Sequence, residues 1–230
     1  GLATGRTMES VYDLLAKMHK NEGLDFSGCQ TFNLDEYIGV PPDDEHSYRY
    51  YMNKHLFSRV NIKIENTHLP NGMAIDLKAE CRAYEDCINR LGGIDVQLLG
   101  IGEDGHIGFN EPLSSLRSRT RDKALTPETR RQNCAMFGGN PDNVPARALT
   151  MGVGTILDAR RVFLLATGEK KADILAKAVE GPITSMISTS ALQLHPACTI
   201  ICDESAASKL QCKDYYYWIF ENEPEWKDYN

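Results

Sequence analysis

Four short apolar runs, at 30–33, 96–101, 162–166 and 199–202, are separated by stretches with helical periodicity. Each run ends in a polar or glycine-containing turn, as buried strands do. Residues 8–20 carry Val11, Leu14, Leu15 and Met18 at helical spacing, with Thr7 as candidate N-cap and Gly23 beyond the end. Residues 78–90 carry Ala79, Ala83, Cys87 and Ile88 in the same way. Residues 170–180 carry Ile174, Leu175, Ala178 and Val179 and stop at Gly181-Pro182. This alternation selects an α/β fold with an open, largely parallel sheet flanked by helices. With 230 residues and no repeat, low-complexity tract or long linker, 1–230 reads as one domain. In such sheets ligands bind at the carboxyl ends of strands, so chemistry is sought just after each apolar run.

Composition removes several function classes. Hydrophobic residues at 42% and charged residues at 25% exclude a disordered chain, a collagen and a coiled-coil rod. Lys and Arg number 25 against 32 Asp and Glu, a formal charge of −7. That argues against a broad basic surface for nucleic acid or anionic membrane and leaves room for a local basic pocket. The longest stretch without Asp, Glu, Lys or Arg, 181–202, contains Pro182, His195 and Pro196 and does not read as a membrane span. Seven cysteines, an odd number with no C-x-x-C spacing, read as free thiols in a reducing compartment, with no closed zinc site. A C-terminal cluster, Tyr215-Tyr216-Tyr217-Trp218, precedes an acidic tail to Asn230 and reads as a packing segment, since its acids would repel nucleic acid.

After the second apolar run, Gly100, Gly102 and Gly105 match G-x-G-x-x-G. A dinucleotide site also needs a helix opening at the third glycine. Gly108, Asn110 and Pro112 argue against one. The string instead reads as a catalytic loop, because Asp104, His106 and Glu111 put three proton-handling groups within eight residues. A histidine between carboxylates gains a fixed tautomer and a higher proton affinity, which suits acid–base work. After the first run, Asp35 and Glu36 are adjacent carboxylates, either of which, partly desolvated, would serve as a base for a carbon acid. The Gly/Thr-rich turn at 1–7 enters a helix and would present free N–H groups to a phosphate. Thr167-Gly168-Glu169-Lys170-Lys171 is a second anion candidate between strand and helix.

The strings FNLDEY at 32–37, GEDGHIGFNEP at 102–112, ALTMGVGT at 148–155 and LQLHP at 192–196 together resemble the glucosamine-6-phosphate deaminase family. The resemblance runs collinearly from Gly1 to about Trp218. It implies the three-layer isomerase/6-phosphogluconolactonase type of α/β fold. It also implies conversion of glucosamine 6-phosphate and water into fructose 6-phosphate and ammonia, with no redox cofactor and no metal. Carried onto this sequence, Asp35 matches the enolisation base and His106 the ring-opening residue, flanked by Asp104 and Glu111. Gly5, Thr7 and Lys171 match positions that hold the substrate phosphate. Some family members are hexamers activated by N-acetylglucosamine 6-phosphate, and Ser114, Arg121, Lys123 and Tyr217 are similar to that second phosphate site. Other members are unregulated, so the resemblance leaves a homo-oligomer open, while the free thiols and a sugar-phosphate substrate point to a cytoplasmic setting.

Three departures from the family pattern stand out. The strand and helix that the family places before Gly1 are missing from this sequence, so it reads as N-terminally truncated relative to the family; their loss would leave a sheet edge bare. Arg6 replaces a small residue of the phosphate loop, and Ala135 replaces a phosphate-contacting arginine of the regulated members. The expectation is that Arg6 supplies the charge lost at position 135. Competing readings are a galactosamine-6-phosphate deaminase, a 6-phosphogluconolactonase, and an inactive sensor of amino-sugar phosphates. Lactone hydrolysis needs no base over C1–C2, so Asp35 counts against the lactonase.

Overall fold

The computed structural model describes residues 1–229; Asn230, the end of the predicted acidic tail, lies outside them. In chain order the elements begin α1 (Arg6–Glu22), β1 (Thr31–Phe32), β2 (Asp35–Tyr37), α2 (Tyr48–His55), β3 (Thr67–His68) and α3 (Leu77–Arg90). They continue β4 (Val96–Gly100), β5 (Arg121–Ala124), α4 (Pro127–Asn133), β6 (Arg147–Thr150), α5 (Val153–Leu157) and β7 (Arg161–Ala166). The last are α6 (Ala172–Glu180), β8 (Cys198–Cys202) and α7 (Lys213–Asn222). Among the described residues no helix is long and apolar enough to cross a membrane.

All four apolar runs are strands, within a residue or two of their predicted bounds. β4, β7 and β8 form a parallel sheet in that order, and β1 pairs with β3 in parallel. Residues 1–3 join the two groups. The nitrogen of Gly1 donates to Val96 O at 2.7 Å, and Leu98 N donates back to Gly1 O at 2.9 Å. On the other side Leu2 bridges Asn33 in parallel, with Leu2 N to Phe32 O at 2.8 Å and Leu34 N to Leu2 O at 3.1 Å. The order across the sheet is therefore β3, β1, residues 1–3, β4, β7, β8. The edge expected beside Gly1 is thus occupied along these three residues. The chain leaves residues 1–3 for β1 on one side, and β4 lies on the other. Such a divergence opens a crevice at the carboxyl ends of the strands.

β2, β6 and β5 form a separate antiparallel sheet, which the apolar pattern had not revealed. β5 reads Arg-Asp-Lys-Ala and β2 is three residues long, so neither is an apolar run. Helix α2 was also missed, because Tyr-Arg-Tyr-Tyr-Met-Asn-Lys-His shows little apolar periodicity; Ser47 starts it by accepting from Tyr50 N. The three predicted helices are present as α1, α3 and α6. Thr7 is not the N-cap of α1: Gly5 takes that position and no side chain caps the first turn. The Thr7 hydroxyl meets Thr167 Oγ1 at 3.3 Å instead.

The main core joins α1, α2, α3, β4, β7 and α6 through residues such as Tyr12, Met52, Ile88, Leu99, Leu164 and Leu175. A second cluster, with Tyr37, Tyr48, Phe109 and Phe137, lies against the antiparallel sheet. Leu164 is fully buried on β7, whereas Ile201 on the edge strand β8 is 52% exposed. Leu164→Ala should cost about 3 kcal/mol in urea unfolding through the cavity it leaves. Ile201→Ala should cost less than about 1 kcal/mol.

Candidate active site

The crevice is a cavity of about 270 Å³ at the carboxyl ends of residues 1–3, β4 and β7, closed on one side by β2 and the start of α2. Asp35 and His106 both line it, as do Gly5, Arg6, Thr7 and Lys171. The structure thus brings the two predicted chemical groups and all four predicted phosphate ligands to one cavity.

Asp35 and Glu36 fall on opposite faces of β2, as successive strand residues do. Asp35 faces the crevice, is 6% exposed, and its carboxyl accepts no hydrogen bond among the described residues. Burial, and secondly the charge of Glu36, push its pKa up to about 8. Glu36 is buried on the other side, and its carboxylate accepts from Tyr37 N at 2.9 Å, Tyr48 N at 3.0 Å and Arg49 N at 3.0 Å. Of the two adjacent carboxylates, Asp35 is therefore the one placed to take a proton from a ligand.

The loop after β4 folds back on itself. Gly102 N donates to His106 O at 2.9 Å, and Gly105 N to Gly102 O at 3.1 Å. A Cβ on Gly102 would stand 2.5 Å from the His106 ring, so only glycine lets the ring lie over the loop. Gly108 has φ +55°, and a Cβ there would crowd Thr150 Oγ1 at 3.0 Å and approach Asp35 Oδ2 at 3.4 Å. No helix opens at Gly105, so these glycines shape a tight loop and not a dinucleotide-binding turn.

His106 Nδ1 stands 2.5 Å from Asp104 Oδ1, off the ideal hydrogen-bond line, and His106 N donates to the same oxygen at 3.3 Å. Burial works against the Asp104 charge, but the bonding to His106 outweighs it and holds the carboxyl below its ordinary pKa. Glu111 is 2% exposed and accepts from Thr126 N at 3.0 Å and from the Thr126 hydroxyl at 3.3 Å. Donor atoms of Asp104, His106 and Glu111 all lie within 4.8 Å of one another. They are the one group among the described residues close enough to share a cation. The same closeness makes a proton relay, with a histidine between a carboxylate it faces and one anchored behind it.

At the opposite end, Gly5 precedes α1 with φ 112°, and the uncapped first turn of α1 points its N–H groups at the cavity. Lys171 Nζ donates to Ile101 O at 2.7 Å. Burial lowers the Lys171 pKa, and Glu103 and Asp104 pull it back up. Arg6 is exposed at the cavity mouth. Ala135 is exposed in the short 134–137 helical turn, next to Met136, which lines the cavity.

The four residues of the expected effector site are not joined in one chain. Ser114 is buried and follows the Glu111 loop, and Arg121 Nη1 donates to Asn110 Oδ1 at 2.9 Å. Lys123 lies on β5, and Tyr217 lies on α7 with its hydroxyl on Glu204 at 3.3 Å. No hydrogen bond links Tyr217 to the other three among the described residues.

Sequence reasoning missed several residues of the site. Tyr48 walls the cavity from the first position of α2. Thr150 accepts from Phe109 N at 3.0 Å, and Asn110 Nδ2 donates to Ile107 O at 2.8 Å and Met151 O at 2.9 Å. These bonds tie the histidine loop to β6. The signal for Thr150 lay in the 148–155 string, and Tyr48 had no local signal.

Residues 1–206 match the family described as glucosamine-6-phosphate isomerases/6-phosphogluconolactonase. A glucosamine-6-phosphate deaminase of Arthrobacter sp. (strain FB24) is 52% identical over 227 residues, 99% of this chain and 87% of that protein. One from Hahella chejuensis (strain KCTC 2396) is 53% identical over 219 residues, 95% of this chain and 83% of the relative. Among solved structures, a monomeric glucosamine-6-phosphate deaminase is similar at TM-score 0.88 and 46% identity, covering 91% of this chain and 86% of that one. A 6-phosphogluconolactonase from Trypanosoma cruzi shares the fold at TM-score 0.70 and 22% identity, covering 92% and 84% of the two chains. The chain belongs to the glucosamine-6-phosphate isomerase/6-phosphogluconolactonase family.

Proposed function

We propose that this chain is a glucosamine-6-phosphate deaminase, releasing ammonia and fructose 6-phosphate from glucosamine 6-phosphate and water. The observation that carries this reading is the buried, unbonded carboxyl of Asp35 facing the same cavity as the His106 relay. The relatives named for this activity, about half identical to nearly the whole chain, support it.

The phosphate binds the N–H groups at Gly5–Thr7 with Lys171 and Arg6, which leaves the sugar carbons toward Asp35 and His106. His106 moves a proton between the anomeric hydroxyl and the ring oxygen, opening the pyranose to the aldehyde. Asp104 and Glu111 stabilise the imidazolium formed in that transfer. Asp35 then takes the C2 proton, giving an enolamine, and returns a proton to C1. The resulting C2 imine adds water, and the carbinolamine expels ammonia to leave the ketone. One carboxyl serves both carbons only if it lies over the C1–C2 edge and its carboxylate form has a proton affinity raised toward that of a carbon acid, the direction in which burial moves Asp35. The seven free thiols suit the reducing cytoplasm in which we place this enzyme.

Asp35→Asn should lower kcat by at least about 10³-fold and change KM by less than about threefold, in an assay of ammonia and fructose 6-phosphate release. Substrate binding with no turnover in the unaltered chain would support the sensor reading instead. Arg6→Gly should raise KM for the phosphorylated sugar about tenfold, the loss of one partly solvated charged contact. An unchanged KM would remove Arg6 from the phosphate site.

The Asp35 carboxyl also ties stability to pH. Its folded pKa of about 8 lies above the 3.8 of an unperturbed aspartate. Between those values the folded chain holds a proton that the unfolded chain has lost, so this group's contribution to stability falls as pH rises. Melting curves should show Asp35→Asn gaining on the unaltered chain from about pH 4 to about pH 8. A constant gap would mean that the carboxyl titrates normally.

A further inference from the structure

We propose that Glu36 is a positioning residue for the proton transfer, fastening the first turn of α2 to β2 and holding a fixed negative charge behind the base. This rests on the reading of Asp35 given above.

The geometry begins with the strand. β2 is three residues long, and every one of them is buried. Glu36 points away from the cavity and is 3% exposed. Its Oε1 accepts from Tyr37 N and Tyr48 N, and its Oε2 from Arg49 N. The last two are the opening N–H groups of α2, where a carboxylate is favoured by the helix dipole. Ser47, at the N-cap, satisfies Tyr50 N instead. One side chain therefore ties the strand that carries the base to the helix that carries Tyr48.

That tie reaches the relay as well. The Tyr48 ring lies nearly parallel to Phe109 at 6.1 Å between centroids, and Phe109 stands 6.5 Å from His106. The Tyr48 hydroxyl donates to the Tyr37 hydroxyl at 3.2 Å. A shift of α2 away from β2 would move this wall of rings between the base and the histidine.

Arg49 is the cation whose charge acts on Glu36. Its guanidinium is committed elsewhere, with Nη1 to Thr67 Oγ1 at 2.6 Å and Nη2 to Thr67 O at 2.8 Å. No ion pair joins Arg49 to Glu36 among the described residues. Burial raises the Glu36 pKa, while the three backbone N–H bonds and, less strongly, the Arg49 charge favour its carboxylate form, with no cation in contact among the described residues. The other titratable groups acting on this pair are the hydroxyls of Tyr37, Tyr48 and Tyr84, all of which burial keeps neutral. Asp35 is thus faced by one negative charge, fixed from the far side of its own strand.

The test compares Glu36→Gln, which keeps the shape and removes the charge, with Glu36→Asp, which keeps the charge and shortens the reach. Both are assayed as full chains for kcat and KM against pH with glucosamine 6-phosphate. Glu36→Gln should move the acid limb of kcat about one pH unit lower and reduce the plateau about tenfold, with KM changed less than about threefold. Glu36→Asp should leave the limb in place and reduce the plateau. An unmoved limb and plateau in Glu36→Gln would overturn the proposal.

If Glu36→Gln does not fold, infrared titration of the unaltered chain decides. A protonated carboxyl band that disappears near pH 8 and is missing from Asp35→Asn is the expected result. The same band surviving in Asp35→Asn would place the proton on Glu36, and no such band would leave Asp35 an ordinary acid; either contradicts the proposal. These infrared results do not depend on turnover. An inactive unaltered chain would refute the assigned reaction, while the infrared result still decides which of Asp35 and Glu36 holds the proton.

Discussion

A carboxyl group buried without a hydrogen-bond donor is the constraint around which the structure is arranged. Burying an ionisable group is costly, and the ordinary remedy is a donor or a cation. Among the described residues Asp35 has neither, and Glu36 behind it makes ionisation harder. The fold tolerates this because the neighbouring strand and loop positions are over-determined. β2 is paired to β6 along all three residues, and Glu36 bolts it to α2. Gly108 lets the histidine loop pass close to the Asp35 carboxyl. The local cost in stability leaves a carboxyl of raised proton affinity facing the cavity, as the proposed base requires.

The parallel sheet and its crevice were legible in the sequence because they depend on apolar runs and helical spacing. Val162, Leu164 and Ala166 are buried at every second position of β7. Helix α3 was legible but its buried face was not: of Ala79, Ala83, Cys87 and Ile88 only Ile88 is buried, and Cys81 and Tyr84 complete the inner face. The antiparallel sheet was not legible. β5 carries arginine, aspartate and lysine in its four residues, and its place is set by pairing with β6 and not by apolar content. The three strand-like residues at the start were hidden for another reason. They are stabilised by neighbours on both sides, Asn33 and Val96, which a local pattern does not contain.

The same distinction divides the site. Asp104, His106 and Glu111 lie close in sequence beside glycines, so their convergence could be read directly. Asp35 joins them from a different sheet, and only the structure separates its cavity-facing carboxyl from the bonded one of Glu36. Lys171 and Gly5 converge because the turns after β7 and after residues 1–3 open at the same end of the sheet. His195, in a string that also carried the resemblance, proves architectural: its ring bonds Ala159 O at 2.7 Å and accepts from Ala197 N at 3.0 Å. Residue strings shared with a family mark both chemistry and scaffold, and burial with full bonding tells the second from the first.

The central claim is that one buried carboxyl carries hydrogen between two carbons. It is tested most directly by running the reaction in deuterium oxide and locating label in fructose 6-phosphate by NMR. With the unaltered chain, solvent deuterium should appear at C1 in a single diastereotopic position to the extent that the carried proton exchanges, and substrate deuterated at C2 should react more slowly and pass the remaining label to that same position. With Asp35→Asn both the label and the reaction should be lost. Stereospecific C1 labelling that continues at a comparable rate in Asp35→Asn would contradict the account and place the base elsewhere in the cavity.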